Sequence, residues 1–485
     1  MTYTIGIDVG SSSVKVSALE TESGRCAASS TNPSREMPIT SRRSGWAEQD
    51  PLMWWRYTLE GIKAVGERIN LGDVRAVGIS YQMHGLVCLG EDGAPVRDAI
   101  IWCDSRAVPY GRKAFEELGE RMCLEHLCGS PGNFTACKLA WVKDNEPDLY
   151  RSIRKVMLPG DYIAYLLTGC ARTTQSGLSE GALWDFKEGR RADFLLDYFG
   201  FDEGLFPEIV PTIGPQGLIT PLAASQTGLP EGIPVCYRAG DQPNNAFSLG
   251  VLRSGEVAAT GGTSGVVYGV ASAPRADEKS RVNTFIHTSA LPGVLLCING
   301  TGILNSWVRR NVTPGLTYDE MNSLAASVPE GCDSLSILPF GNGAERVLEN
   351  SSPGAGIFGL DFNRHTAAHI VRAAQEGIAF SFKYGMEVME GLGLNLKLIK
   401  AGKANLFLSP VFRQVLSSVS GARIELYDTD GALGAARGAA LGAGIYADEA
   451  EAFAALRCLE VTEPVRSDAL VKAYALWKER LLLTL

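Results

Sequence analysis

Near the start of the chain, apolar and polar residues alternate in a way that predicts a β-hairpin. TIGID is a short apolar strand, VGSSS supplies a turn, and VKVSAL alternates as a second strand does. Gly10 lets the backbone tighten, while the amides and hydroxyls of Ser11, Ser12 and Ser13 suit an anion. The alternative interpretation is an ordinary hairpin with a polar tip.

A second segment with the same pattern follows about half a chain later. In AATGGTSGVVYGV, a short strand, a Gly262-Thr263-Ser264 turn and a strand containing Val266 repeat the plan of the first hairpin. Two similar hairpins this far apart predict a duplicated, two-domain protein with one phosphate-binding loop in each half. We expect a triphosphate to lie between them.

The rest of the pattern alternates strands and helices and so predicts an α/β fold. Asp50 as N-cap and Pro51 at the first helical position predict a helix, after which VRAVGIS and AIIW read as buried strands. Further helices are predicted over AAHIVRAAQEGIAFSFKYGMEVMEGL and GALGAARGAALGAG. The glycines and prolines around VCYRAGDQPNNAF mark a boundary, which predicts domains at residues 1–236 and 237–485.

Composition narrows the function classes. A chain of 485 residues is too long for one ordinary core, and 45% hydrophobic with 20% charged residues is typical of a folded α/β protein. The formal net charge of −9 argues against a nucleic-acid partner and favours a small-molecule substrate. We find no signal-peptide pattern and no apolar run of membrane-spanning length, so we expect a cytoplasmic protein that does not bind membranes.

The 11 cysteines, an odd number scattered along the chain, indicate thiols in a reducing compartment. Cys123, His126, Cys128 and Cys137 are the only cluster that suggests zinc, and their spacing matches no paired knuckle pattern. Buried thiols beside a helix are the favoured interpretation.

Several motifs, in order along nearly the whole chain, carry a resemblance to a known family. With the first hairpin they are WAEQDP, GISYQMHGLV, AIIWCDSRA, NFTACKLAWV, GDQPNNAF and GGTSGVVYGV. Together they resemble the FGGY family of carbohydrate kinases, and within it the xylulose kinases. The resemblance implies sugar kinase architecture: two ribonuclease-H-like (actin-like ATPase) domains around a central cleft, with the sugar low in the cleft and ATP above it. It also implies a homodimer.

The activity implied is ATP-dependent, Mg²⁺-assisted phosphorylation of D-xylulose to D-xylulose 5-phosphate by in-line transfer. QMHG resembles the xylulose kinases, whereas glycerol kinases carry an Arg-Glu pair at the matching place. One alternative is a family kinase for another ketose or polyol, such as ribulose, rhamnulose, fuculose or glycerol. An alternative of another class is a non-catalytic, actin-like nucleotide-gated protein.

Within this framework two aspartates are the candidate catalytic residues. Asp241 follows a predicted strand and a glycine, so we expect its carboxylate to accept the proton of the sugar hydroxyl. The other interpretation of Asp241 is the cap of a helix starting near Pro243. Asp8, at a strand end beside the phosphate turn, is expected to hold hydrated Mg²⁺ through water, and its alternative role is to bind the backbone amides of the hairpin tip.

The remaining site residues also follow from the resemblance. Sugar recognition requires fixed polar groups and one or two apolar walls; the candidates are Gln82, Met83, His84, Trp102, Asp104, Asn133, Asp241 and Gln242. The candidates for ATP are Gly10, Ser11, Ser12, Ser13, Lys15, Gly262, Thr263, Ser264, Gly402, Lys403 and Asn405.

Three features depart from the family pattern at the ATP end. Relatives carry a run of glycines where this chain has IKAGKANLFLSP, with Gly402 alone and Lys403 and Asn405 beside it. GNGAERVLEN differs from the matching stretch of relatives, and Gln375 replaces an aliphatic residue. Because a side chain changes how closely backbone approaches a nucleotide, nucleotide affinity and choice stay open.

Overall fold

The computed structural model describes residues 1–485 as two compact units. The first unit comprises Met1–Gly250, Phe285–Leu291 and Thr429–Leu456, and the second comprises Val251–Thr284, Pro292–Asp428 and Arg457–Leu485. The predicted boundary between residues 236 and 237 falls inside the strand Pro234–Gly240. The first unit is not continuous in the sequence, because a helix from late in the chain packs against its sheet.

The first unit is built on a mixed six-stranded sheet. Its strands, in spatial order, are Arg25–Asn32, Val14–Glu20, Tyr3–Val9, Val74–Tyr81, Pro234–Gly240 and Ile213–Leu218. Tyr3–Val9 is antiparallel to Val14–Glu20 and parallel to Val74–Tyr81, which is in turn parallel to Pro234–Gly240. The two flanking pairs are antiparallel.

The second unit repeats this topology. Its corresponding strands, in spatial order, are Pro292–Ile298, Gly265–Val270, Val257–Gly261, Leu398–Gly402, Arg423–Tyr427 and Cys458–Thr462. Their directions follow the same sequence of two antiparallel, two parallel and one antiparallel pairing. The duplication predicted from the two hairpins is therefore present in the strand order of the sheets, and both units have the predicted α/β class.

Helices and short strands complete the two units. Helices of the first unit are Pro51–Gly66, Val108–Leu118, Glu120–Leu127, Thr135–Asn145, Pro147–Ser152, Pro159–Thr168, Gln175–Glu180, Asp193–Phe199, Pro221–Thr227, Asp241–Ser248, Gly431–Gly442 and Glu449–Phe453. Those of the second are Gly302–Asn311, Tyr318–Ala326, Ala367–Gly391, Pro410–Ser420 and Asp468–Leu482. Short strands are Glu48–Gln49, Val87–Leu89, Ala99–Ile100, Lys155–Met157, Arg172–Thr174, Trp184–Asp185, Arg190–Arg191, Glu208–Val210, Ser336–Phe340 and Gly354–Phe358, and the residues of Asn283–Ile286 are divided between the units. Single 3₁₀ turns occur at Leu71–Asp73, Glu203–Leu205, Cys332–Ser334, Arg346–Leu348 and Asn405–Leu408.

Local signals in the sequence account for several of these elements. The first hairpin forms with Asp8 opposite Lys15, and its turn is closed by a 3.0 Å hydrogen bond from Gly10 N to Ser13 O. Asp50 caps the helix Pro51–Gly66 by accepting a 2.9 Å hydrogen bond from Leu52 N, as its position before Pro51 predicts.

The helix Gly431–Gly442 packs unusually close to the sheet of the first unit. A Cβ atom at Gly6 would overlap the Ala432 carbonyl oxygen, and one at Gly78 would overlap that of Ala435. The Thr4 hydroxyl donates a 2.8 Å hydrogen bond to Ala436 O at the same surface. Small residues on both faces therefore allow the helix backbone to lie directly on the strands.

No helix of the structure is both long and apolar enough to span a bilayer.

Cys123, Cys128 and Cys137 are buried, and burial raises the pKa of each thiol, to about 11 for Cys123 and about 12 for the other two. No group of three or more His, Cys, Asp or Glu side chains in the chain is arranged to hold a metal ion. A hydrated Mg²⁺ bound through one carboxylate does not need such a group.

We expect Gly6→Ala to destabilise the protein by about 3 kcal/mol or more, because the methyl group would meet backbone that cannot move aside. Urea or thermal denaturation of the purified variant would measure the loss. Gly129→Ala is the matched control, since a Cβ there has no heavy atom within 4 Å. Equal unfolding midpoints for the two variants would contradict the close packing.

Candidate functional site

The candidate site of the first unit lies where its three parallel strands end. Val9, Tyr81 and Gly240 are paired in register, and the chain continues from these ends to Gly10, Gln82 and Asp241. Because parallel strands present the same edge at their carboxyl ends, side chains that follow them are brought together. The predicted site residues Gly10, Gln82 and Asp241 therefore lie at the ends of neighbouring strands.

Asp8 faces the amino-terminal end of the helix Gly431–Gly442. A Cβ atom on Gly431 would overlap the Asp8 carboxyl, so this glycine is what allows the close approach. Burial raises the pKa of Asp8, and the neighbouring Asp430 adds to this effect, while the Ser80 hydroxyl and Lys15 oppose it. Lys15 Nζ lies 2.6 Å from Asp430 Oδ2, so this predicted phosphate contact is already engaged in an ion pair.

Asp241 is the first residue of the helix Asp241–Ser248, two positions earlier than predicted. Burial raises the pKa of its carboxyl to about 7, and the nearby charge of Asp8 contributes to the rise. Hydrogen bonds to Gln242 and to the local backbone act in the opposite direction. A carboxyl that titrates near neutrality is matched to accepting a proton from a hydroxyl group.

Glu180 is a buried carboxyl beside this site that the sequence analysis missed. It is fully buried, and neither carboxyl oxygen has a hydrogen bond of ordinary geometry. A Cβ atom on Gly240 would overlap Glu180 Oε2, which places the carboxyl directly against the backbone that precedes Asp241. Burial raises the pKa of Glu180 well above its usual range, with smaller contributions from Asp241 and Asp161.

Met83 and His84 form one wall of the same region. Met83 is buried, and a Cβ atom on Gly240 would also lie 2.6 Å from its Cγ. His84 has a positive φ of 61°, and its Nδ1 is 2.7 Å from the backbone oxygen of Glu180. The imidazole packs against Phe134 and Phe285, with ring centroids 4.5 and 5.3 Å away. The strained backbone and aromatic contacts fix the ring's orientation.

Gln82 and Trp102 are placed near the first hairpin. Gln82 is buried, and its Nε2 donates a 3.3 Å hydrogen bond to Gln49 Oε1. Gln49 in turn donates to the backbone oxygen of Ser11 at 2.7 Å. Trp102 is half exposed, and its Nε1 donates to Ser11 Oγ at 3.3 Å. The exposed indole face of Trp102 therefore remains a candidate wall for a sugar.

The position of Asp104 differs from what the sequence predicted. The side chain is fully buried, and Arg106 donates hydrogen bonds to both carboxylate oxygens at 2.7 to 3.0 Å. The Ala47 amide donates a further bond at 2.6 Å. Asn133 Nδ2 donates to the backbone oxygen of Asp104. Because its oxygens are occupied, Asp104 supports the loop that carries Trp102 instead of offering an acceptor to a sugar.

The second hairpin lines a cavity of about 560 Å³ that lies entirely within the second unit. Gly262 and Thr263 contribute the turn, and Asn405, with a φ of 53°, contributes the predicted adenine loop. The turn packs on the start of the helix Gly302–Asn311, where Gly302 N donates a 3.0 Å hydrogen bond to Gly262 O. The remaining lining residues are Gly261, Gly302, Ile303, Asn305, Ser306, Arg310, Tyr318, Asp319, Asn322, Leu406, Leu408 and Ser409.

Ser264, Gly402 and Lys403 are outside the lining of this cavity. Lys403 Nζ forms a 2.7 Å ion pair with Glu460, which Arg413 also contacts at 2.8 Å. The predicted phosphate contact of Lys403 thus has a carboxylate partner in the structure. Of the predicted nucleotide residues of the second unit, Gly262, Thr263 and Asn405 are brought together.

The polar groups of the two units suit particular kinds of ligand. Asp8 offers a carboxylate, the hard oxygen ligand that Mg²⁺ prefers, and an adjacent cation would lower its raised pKa. In the second unit, Asn305 lines the cavity, and its Oδ1 is buried without a hydrogen-bond partner.

Two family models match the chain and together cover most of it. The N-terminal domain of the FGGY family of carbohydrate kinases matches residues 3–248, and the C-terminal domain of that family matches residues 257–447. The chain belongs to the FGGY family of carbohydrate kinases. The predicted family, fold class and enzyme class are thereby confirmed.

Individual kinases are similar to this protein over nearly the full chain. The xylulose kinase of Bacillus subtilis (strain 168) is 30% identical over 462 residues, covering 92% of this chain and 89% of that protein. The crystal structure of xylulose kinase from Rhodospirillum rubrum has a TM-score of 0.88 at 25% identity, covering 99% and 98% of the two chains. That of gluconate kinase from Lactobacillus acidophilus has a TM-score of 0.91 at 22% identity, covering 100% and 98%. The fold is shared by kinases named for different acceptors.

We expect Glu180→Gln to stabilise this kinase at alkaline pH. Because the folded protein holds the Glu180 proton more tightly than the unfolded chain, wild-type stability falls as pH rises above about 4.3, the ordinary glutamate pKa. The neutral amide removes this dependence, so the gain in unfolding midpoint should be larger at pH 8 than at pH 5. Thermal denaturation at both pH values would measure it.

Glu188→Gln, at an exposed glutamate, controls for the loss of a surface charge. A difference between Glu180→Gln and wild type that stays constant between the two pH values would show that Glu180 is not a buried, proton-holding carboxyl.

Proposed function

We propose that this kinase transfers the γ-phosphoryl group of MgATP to the terminal hydroxyl of D-xylulose, giving D-xylulose 5-phosphate. The observation that carries the chemistry is the position and the pKa of Asp241. Its carboxyl lies at the end of a parallel strand, and its pKa is raised to about 7. The choice of acceptor is supported by the 30% identity to a xylulose kinase over 92% of the chain. Family membership alone supports a carbohydrate acceptor.

Asp241 acts as the general base in this proposal. Its ionised carboxylate accepts the proton of the attacking sugar hydroxyl as the new O–P bond forms and the bond between the γ-phosphorus and ADP breaks, so that ADP leaves. MgATP, when bound, supplies the phosphoryl group and the metal charge that offsets the phosphate oxygens. Asp8, beside Ser80 and the helix end at Gly431, is the carboxylate that would hold the hydrated metal.

Met83, His84 and Trp102 would bind the acceptor in the first unit. Met83 supplies a soft apolar surface, Trp102 supplies a flat one, and the His84 ring supplies a fixed polar edge. Gln242 completes the polar set, because its Oε1 is buried without a hydrogen-bond partner next to Asp241. The nucleotide base would occupy the cavity of the second unit, with Gly262 and Thr263 toward the phosphates.

The first experiment is ADP release by the purified protein with MgATP and a panel of pentuloses, hexuloses, aldoses and polyols. We expect selective stimulation by D-xylulose over the rate without sugar. Stimulation by a different ketose or polyol would retain the kinase and overturn the xylulose assignment. A rate that no sugar stimulates would instead favour the nucleotide-gated, non-catalytic alternative.

Asp241→Asn should retain sugar binding and lower kcat by about 10²- to 10⁴-fold, since the amide cannot accept the hydroxyl proton. In the wild type, the base is active only when ionised, so kcat/KM should fall about tenfold per pH unit below pH about 7 and level off above it. Steady-state kinetics across pH, with calorimetric sugar binding, would test both.

Asp197→Asn, at an exposed aspartate of the same unit, is the matched control and should leave kcat unchanged. Near-normal turnover of Asp241→Asn would remove Asp241 from the role of base.

A further inference from the structure

Lys138 is a fully buried lysine behind two loops of the first unit that carry proposed sugar-binding residues. It lies on the helix Thr135–Asn145 and has no exposed surface. Its Nζ donates hydrogen bonds to the backbone oxygens of His84, at 2.7 Å, and of Ile101, at 3.0 Å. Ile101 directly precedes Trp102. One ammonium group therefore joins the loop of His84 to the loop of Trp102, and we call these the acceptor loops.

An ammonium group at this position is costly to bury. Burial lowers the pKa of Lys138 to about 7, and the nearby Asp104 opposes this effect only in part. The Asp104 carboxylate is itself paired with Arg106 at 2.7 Å. A methionine of similar size would fill the same space without the desolvation cost, but it could not donate to a backbone oxygen. What lysine adds here is the pair of hydrogen bonds to the acceptor loops.

The helix that carries Lys138 also supports a strained backbone at His84. The φ of His84 is 61°, in the left-handed region, which a residue with a side chain keeps only where its surroundings impose it. Thr135, three positions before Lys138 and so on the same helix face, donates a 3.3 Å bond from Oγ1 to Gly85 O. The Phe134 ring lies 4.5 Å from the imidazole. Without these contacts the His84 backbone would relax, and its ring would move with it.

We propose that Lys138 and Thr135 are positioning residues that hold the two acceptor loops at a fixed separation and so set the affinity for the sugar. Because both side chains are buried, they act through the loops. The inference rests on the proposed binding of the acceptor by His84 and Trp102. It gives the stretch NFTACK a supporting role behind the sugar site.

The test is steady-state kinetics of Lys138→Met with D-xylulose and MgATP, together with calorimetric binding of D-xylulose. We expect the KM and the Kd for the sugar to rise about tenfold, because two hydrogen bonds from a charged group are lost. The KM for MgATP should stay constant, and kcat should change little, since the loss is in binding the sugar. A variant that is only destabilised would lose active protein and lower kcat without raising the KM for the sugar alone.

Lys143→Met is the matched control on the same helix. Lys143 Nζ also donates to two backbone oxygens, those of Phe199 at 2.6 Å and Gly200 at 2.5 Å. Neither of these residues adjoins a proposed sugar-binding residue. This variant should keep the wild-type KM for the sugar, and thermal denaturation of both variants would compare their losses of stability.

A double-mutant cycle tests whether Lys138 acts through the acceptor loops. Lys138→Met should raise the sugar KM less in His84→Ala, or in Trp102→Ala, than in the wild type, because the side chain that it positions is already absent. Independent effects would multiply instead. The full rise in both backgrounds would overturn the inference.

The outcomes separate the inference from the function on which it rests. A wild type that no sugar stimulates would overturn the proposed function and the inference with it. Stimulation by another sugar would overturn only the xylulose assignment, and the same variants would then be measured with that sugar. A stimulated wild type, with folded Lys138→Met keeping the wild-type sugar KM, would overturn the inference alone.

Thr135→Val decides the matter if Lys138→Met does not fold. It removes the bond to Gly85 O and keeps the size of the side chain. We expect the sugar KM to rise about threefold with the KM for MgATP unchanged, because one neutral hydrogen bond is lost. An unchanged sugar KM in this variant would overturn the inference.

Discussion

The close contact between the helix Gly431–Gly442 and the sheet is the constraint on which the first unit's site depends. Glycines at positions 6 and 78 allow the helix backbone to lie on the strands, and Gly431 allows the Asp8 carboxyl to approach the helix end. Asp430, which caps that helix, is thereby held near Asp8 and Lys15. The contact also explains why residues Thr429–Leu456 belong to the unit that begins at Met1.

Burial of carboxyl groups at this edge of the sheet has two consequences: it suits one carboxyl to accept a proton, and it lowers the stability of the fold at another. For Asp241, burial raises the pKa to about 7, and in the proposed function this gives a base that is available at neutral pH and still basic enough to take a proton. For Glu180, the same desolvation has no compensating cation, because the nearby Arg238 is paired with Asp161 at 2.9 Å. Stability is therefore reduced where the site concentrates its acidic groups, as is common at functional sites.

Features that depend on neighbouring residues in the sequence could be predicted, and those that depend on distant partners could not. The hairpins, the Asp50 cap and the strand ends before Gln82 and Asp241 all follow from local patterns. From the sequence alone, Lys403 is expected to be a free cation. In the fold, the strand Cys458–Thr462 brings Glu460 beside it. Glu180 gives no signal, since the small residues around it indicate tight packing without showing what its carboxyl would face.

Duplication of the fold left the two hairpin turns with different chemistry. In the first unit, the turn carries serines, and the carboxylates Asp8 and Asp241 lie nearby. Negatively charged carboxylates are suited to binding a metal ion or accepting a proton. In the second, glycine turns border a cavity whose charged lining residues, Arg310 and Asp319, offset each other formally, and whose other polar groups are neutral. Neutral amides and hydroxyls can read the donors and acceptors of a base without repelling the phosphates attached to it. In the proposed function, the same strand order therefore supports proton transfer in one unit and base recognition in the other.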